Sequence, residues 1–254
     1  MKFGVWWHHP GRKFKNFYPH VITLENIRVL QRSQYRIDQG DIEPVHFDLT
    51  TSLKTGWNPI QEGLENSEID CAFVLAPIAM DLFAYDSPIR LVLFAHKNGS
   101  TFIRSRHYDP RFDSLQSFYR YKVVDIPHKM SVHHMLAHQF LKELGLKPGG
   151  PGKKAINVRF EVVPPVKMPG IMKENEDVAG FMVAEPVATK AIVGEIGNLE
   201  FYLATRWDNH LCCIVAMQED FIQKHPEAPR NLSPCSWKPG NILKMIKSGQ
   251  PGLP

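Results

Sequence analysis

Short continuous apolar runs closed by chain-breaking residues recur along this chain. Asp70-Cys71-Ala72-Phe73-Val74-Leu75-Ala76-Pro77 is one such run. Asp177-Val178-Ala179-Gly180-Phe181-Met182-Val183-Ala184-Glu185-Pro186 repeats its layout, with an acid at the start and Ala-Glu-Pro in place of the Ala-Pro stop. Runs of this length with β-branched and aromatic content suit strands covered on both faces, as in parallel sheets. The repetition predicts two lobes built alike. Ligands of open α/β sheets sit beyond the carboxyl ends of the strands, where Pro77 and Pro186 stand, so a cleft between the lobes is the expected site of function.

The rest of the pattern alternates between strand and helix. Residues 43–50 (EPVHFDLT) alternate as a strand, and 57–64 (WNPIQEGL) places Ile60 and Leu64 at helical spacing. After the Asp70 strand, 78–83 predicts a short helix and 89–95 (IRLVLFA) a strand, which is the β-α-β-α-β order of a parallel sheet. Residues 105–113 are polar and loop-like, 121–126 (YKVVDI) predicts a strand, and 131–144 a helix with Ser131 as N-cap and Gly145 as its stop. Strands are also predicted over 158–163, 177–184, 198–203 and 210–217, and a helix from 218 that is cut short at Pro226.

A chain of 254 residues, 43% hydrophobic and 22% charged, can bury a substantial core as one large domain or two modest ones. The formal net charge is +4, but Lys and Arg are scattered without a basic cluster, so no nucleic-acid partner is expected. The excess charge mildly favours anionic ligands. Cys71, Cys212, Cys213 and Cys235 lack the spacings of a zinc site and read as small thiols, three of them inside apolar runs. No apolar stretch reaches the roughly 18 residues of a membrane span, and residues 1–10 lack the apolar segment of a secretory signal. The chain as written is therefore expected in the cytoplasm.

Several tempting sites do not hold up as chemistry. Residues 148–154 contain Gly and Lys, but Lys154 and Ala155 follow where a phosphate-binding loop needs Ser or Thr leading into a helix. His134 and His138 share a helix face, yet nothing nominates a third metal ligand, so they read as packing or surface residues. A G-x-S-x-G elbow, paired carboxylates on a strand end and a dinucleotide fingerprint are all missing. Neither cofactor nor metal is expected, and nothing demands an enzyme.

A group of motifs in fixed order carries a more specific message. These are Trp57; Asp70, Ala72, Phe73, Leu75, Ala76 and Pro77; Asn98-Gly99-Ser100; Ile126-Pro127-His128 with Ser131, His133, Met135 and Leu136; Val162, Pro164, Pro165 and Met168; Ala184-Glu185-Pro186; and Trp207 with His210. Over residues 43–228 this set resembles the substrate-binding proteins of nitrate, bicarbonate, sulfonate and taurine ABC transporters. The resemblance implies an α/β, two-lobed fold of the periplasmic-binding-protein type II, with mainly parallel sheets and crossover hinge strands. It places lobe one at 1–117 plus 204–254 and lobe two at 118–203. It further implies a monomer that captures a small oxyanion or polar organic solute, ABC permease and ATPase partners, and a periplasmic or extracytoplasmic location.

The same resemblance nominates ligand-binding residues. Trp57 matches a tryptophan that lines the anion pocket; its indole offers a donor on an apolar body, or else it is a core residue. Pro77 closes the first strand. Ser100 stands where nitrate-type members carry glutamine, which keeps a donor but shortens it. His128 and His133 flank the start of a helix, whose free N–H groups favour anions, and His133 matches the family's S-x-H histidine. Glu185 either orients lobe-closing hydrogen bonds or caps the next helix. Asp208 is an acid where nitrate-type members carry lysine. That disfavours a bare monovalent anion and favours a protonated or metal-paired anion, or a neutral or zwitterionic organic ligand.

Two regions depart from the resemblance. The first strand and helix of the family are not recognisable in residues 1–39, where Trp6, Trp7, His8 and His9 stand instead. Residues 229–254 are Pro/Gly-rich where the family continues with a helix reading roughly V-E-A-G-K-Y-I-E-N. A shifted frame over 236–246 can encode that reading, so a frameshifted and truncated tail is expected. The alternative to transport is a cytoplasmic biosynthetic enzyme on the same fold, of the thiamine pyrimidine-precursor or menaquinone type. Cys212-Cys213 is shorter than the cysteine-rich motif of those precursor synthases.

Overall fold

The computed structural model describes residues 56–107, 114–150 and 156–229, together with the backbone of four strands that precede them. Those strands are β1 (Phe3–His9), β2 (Arg12–Lys13), β3 (Asn16–Pro19) and β4 (Asp48–Lys54), joined in one sheet. Trp6, Trp7, His8 and His9 thus lie in a strand, in a region where the sequence shows no recognisable one. The strand expected over 43–50 overlaps β4, whereas residues 43–47 and the suspected frameshifted tail from 230 lie outside the described residues.

Helix α1 (Asn58–Glu65) buries Ile60, Gly63 and Leu64, the face anticipated by its apolar spacing. Strand β5 (Cys71–Leu75) is buried throughout and runs directly into α2 (Ala76–Ala84), whose first turn accepts Pro77 because an N–H there has no helical partner to lose. Next come β6 (Ile89–Lys97) and β7 (Ser100–Ser105), the latter unanticipated. Helix α3 (Leu115–Tyr119), β8 (Val123–Ile126), α4 (Val132–Glu143), β9 (Pro148–Gly149) and β10 (Val158–Val162) follow. The chain then forms α5 (Met168–Glu174), β11 (Val178–Ala184), α6 (Val187–Val193), β12 (Gly197–Tyr202), β13 (Leu211–Gln218) and α7 (Glu219–Lys224).

The strands after β4 form two further sheets. The larger has the order β12-β7-β11-β8-β10-β9, with β8 parallel to β10 and β11, and β7 antiparallel to β11 and β12. The smaller has the order β5-β13-β6, with β13 antiparallel to both neighbours. The β-α-β-α-β reading expects β4, β5 and β6 in one parallel sheet. Instead β4 pairs with the N-terminal strands and β13 separates β5 from β6. Buried almost end to end, β13 belongs at a sheet centre, covered on both faces.

Packing explains why the larger sheet begins at β7, inside the stretch expected to continue lobe one to residue 117. Phe102 and Ile103 of β7 are fully buried on opposite faces. Phe102 joins the core made with α3 and α4 (Tyr119, Leu136, Phe140), and Ile103 the core made with α5 and α6 (Met168, Met172, Ala188). On the larger sheet such a strand meets helices on both sides, α3 and α4 on one and α5 and α6 on the other. The smaller sheet packs with α1, α2 and α7 through Ile60, Leu64, Ile78, Leu82 and Phe221.

The chain passes between the two sheets at 98–99 and returns at 203–210. Both crossings lie side by side: the Asn98 backbone N–H donates to His210 O at 3.3 Å, and Asn98 Nδ2 donates to Asp208 Oδ1 at 3.0 Å.

Candidate functional site

A crevice opens where the smaller sheet faces the larger one. Trp57, Leu75, Cys212 and Cys213 line it from the smaller sheet's side, and Pro127, His133, Pro165, Val183 and Ala184 from the other. Leu75 is the last residue of β5, Pro127 directly follows β8, Pro165 lies just past β10, and Val183–Ala184 end β11. The crevice thus occupies the carboxyl ends of four strands, the position expected of a ligand site in such sheets.

Trp57 stands at the N-cap of α1 and is 4% exposed. Its indole Nε1 is buried and has no hydrogen-bond partner among the described residues. His133 is 2% exposed and occupies the first turn of α4. The start of that helix is fixed by Ser131, whose Oγ accepts from His134 N at 3.0 Å and donates to His128 O at 2.6 Å. Gly145 ends it in the left-handed region at φ +73°, as the stop signal predicted.

His128 follows the lining residue Pro127 and is not itself part of the lining. Its Nδ1 accepts from Met130 N–H at 3.0 Å, so the neutral ring carries its proton on Nε2, which donates to Asn58 Oδ1 at 3.1 Å. Burial is the main cause that holds the His128 pKa below its ordinary value. Asn58 begins α1 and His128 follows β8, so this bond joins elements of the two sheets.

The other nominated residues stand back from the crevice. Ser100 is fully buried with an unpartnered Oγ and pairs in register with Ala184. Glu185 accepts from Thr101 Oγ1 at 3.1 Å and from Thr189 N at 2.9 Å, so it caps α6 and ties it to β7. Asp208 is exposed and organises the returning crossover, accepting from Asn98, from Asn209 N at 2.8 Å and from Asn209 Nδ2 at 2.9 Å. Pro77 sits in the first turn of α2, apart from the lining.

The structure thus brings Trp57 and His133 together and adds Leu75, Pro127, Pro165, Val183, Ala184, Cys212 and Cys213. Most of the additions sit at strand ends, the signal that could have found them. Burial, reinforced by Cys212, pushes the Cys213 thiol well up, so it stays protonated and is no nucleophile. No cluster of three metal-ligating side chains occurs among the described residues. His134 and His138 pack against Phe160, with ring centroids 4.8 Å and 6.4 Å away.

The chain matches the NMT1-like family over residues 35–235. No curated protein matches it. Among solved structures it resembles the ligand-binding component of an ABC-type import system from Staphylococcus aureus with zinc bound. That alignment has a TM-score of 0.62 and 18% identity, covering 82% of this chain and 66% of that one. It also resembles the periplasmic nitrate-binding protein NrtA from Synechocystis PCC 6803, with TM-score 0.62, 19% identity, and coverage of 76% and 55%. A third is the alkanesulfonate-binding protein SsuA from Xanthomonas axonopodis pv. citri bound to MOPS, with TM-score 0.65, 10% identity, and coverage of 89% and 73%. The chain therefore spans 66% and 55% of the length of the first two. At these identities the likeness establishes the fold.

Proposed function

The chain belongs to the NMT1-like family, and from that membership we propose that it is a solute-binding protein that captures a small oxyanion or polar organic solute for an ABC importer. The two sheets that face the crevice act as lobes one and two, with β7 carried by the second. An importer's permease and ATPase are its partners, its place of work is extracytoplasmic, and it acts as a monomer without nucleic acid. It performs no covalent chemistry.

One observation carries this reading. The crevice is lined from both sheets, mostly by residues at strand ends, so a ligand there would touch both halves at once. Paired crossovers at Asn98 and Asp208 supply the short connection about which such halves can close. The protonated, buried Cys213 argues against the alternative of a biosynthetic enzyme using that cysteine pair.

Calorimetry of the full chain against small oxyanions and polar organic solutes tests the proposal, with mass spectrometry of the recovered solute. Saturable binding with the solute returned unchanged is expected. Recovery of a converted product overturns the reading in favour of an enzyme.

A further inference from the structure

We propose that the Asn58–His128 bond is a latch that holds the two sheets closed over the crevice, so that a solute enters only from an opened form of the chain. The latch governs access, whichever solute the crevice takes.

The crevice walls cover one another. Leu75 ends β5 and Val183 lies near the end of β11, yet Leu75 and Cys212 are each 1% exposed, and Val183 and Cys213 are fully buried. Between the walls there is space for about one water molecule. No organic solute or hydrated oxyanion fits there until the walls part.

The bond is placed to resist that parting. Asn58 directly follows the lining residue Trp57, and His128 directly follows the lining residue Pro127. The 3.1 Å contact between their side chains therefore joins the immediate neighbours of two facing wall residues. On its own side His128 is fixed by the Met130 N–H on Nδ1 and by Ser131 Oγ on its carbonyl, so the ring does not follow Asn58 away. Burial lowers the His128 pKa, and among the groups that oppose this is Asp81 of α2, so a second helix of the smaller sheet also acts on the ring. Loss of one such bond shifts an opening equilibrium about two- to ten-fold.

The crossovers supply the bend that opening needs. Each turns at an asparagine in the left-handed region, Asn98 at φ +59° and Asn209 at φ +57°. Arg206 lies over the Phe140 and Phe201 rings, at 5.3 Å and 4.8 Å, and pairs with Glu143. Residues up to 206 thus move with the larger sheet, and the bending falls on 207–210.

The chain carries its own reporters. Cys212 and Cys213 line the crevice, whereas Cys71, also buried, stands at the far end of β5 and outside the lining. Labelling of the full chain with N-ethylmaleimide, read for each cysteine by peptide mass spectrometry, therefore separates parting of the sheets from unfolding. Asn58→Ala is expected to speed labelling of Cys212 and Cys213 about two- to ten-fold with Cys71 unchanged, and His128→Ala to do the same. The double variant is expected to add nothing further, because both changes remove one bond. If neither variant labels Cys212 and Cys213 faster than the parent, the bond is no latch. If in both variants they speed up only in step with Cys71, the opening is unfolding and the proposal falls as well. Either failure leaves the crevice as a solute site, which calorimetry tests separately.

Discussion

His128 Nε2 donates a hydrogen bond to Asn58 Oδ1 at 3.1 Å, and these two residues belong to elements of different sheets. Protonating the ring would place a second N–H on Nδ1, against the Met130 N–H that now donates to it. With the folded His128 pKa below its ordinary 6.5, the stability this group contributes is present above that value and lost as pH falls through the folded one. We expect Asn58→Ala and His128→Ala to show a coupling of about 0.5–1.5 kcal/mol in a double-mutant cycle at pH 7.5. Strictly additive effects would count against the bond.

Asp125 is fully buried in β8, opposite Glu161 and Phe181, with neither carboxylate oxygen partnered. Burial first, then Glu161, raises its pKa from 3.8 to about 7. Between those values the folded chain holds a proton that the unfolded chain releases, so stability falls as pH rises from about 4 to about 7. Asp125→Asn removes this dependence. Urea unfolding is expected to show it gaining on the order of 4 kcal/mol relative to the parent between pH 4 and pH 8. Parallel pH profiles for the two proteins would contradict the assignment.

Glu185 joins the start of α6 to β7 through Thr189 N and Thr101 Oγ1. Glu185→Ala leaves both donors without their acceptor and is expected to cost about 1–2 kcal/mol by chemical denaturation. If Glu185 instead served the ligand, the variant would lose affinity while unfolding like the parent.

At Gly180 the backbone of β11 passes so close to β7 that an added Cβ would lie 2.5 Å from Ile103 O and 3.1 Å from a Phe102 ring carbon. Neither neighbour is a flexible chain end. Gly180→Ala is expected to destabilise by about 1–3 kcal/mol, read as a lower urea midpoint. An unchanged midpoint would mean that the two strands separate easily.

Strands buried on both faces were the most legible part of the sequence. β5 and β11 announce themselves because each is apolar without interruption and is closed by Ala-Pro or Ala-Glu-Pro. β7 does not, since its polar positions are matched by distant partners: Thr101 by Glu185, and Arg104 by Glu200 at 3.3 Å. α6 hides for another reason, as its seven residues span less than two turns and show too little periodicity. Strand order is a matter of pairing, so nothing within 211–218 says that β13 lies between β5 and β6. Trp57, His133, Pro127 and Pro165 all stand in the ordered motifs, but only the first two carry a polar group that nominates them, whereas the prolines line the crevice because of where their strands end.

The placement of β13 also bears on how the chain is assembled. Among the described strands, β5 and β6 each pair only with β13. As the chain leaves the ribosome, both must wait with open edges until residues 211–218 emerge, while every strand of the larger sheet is already available. Loop closure over so long a separation makes this the slow step, and the exposed edges of β5 and β6 are the natural starting point for aggregation. A nascent or clipped chain ending before Leu211 would therefore carry a completed second sheet beside a first one lacking its centre.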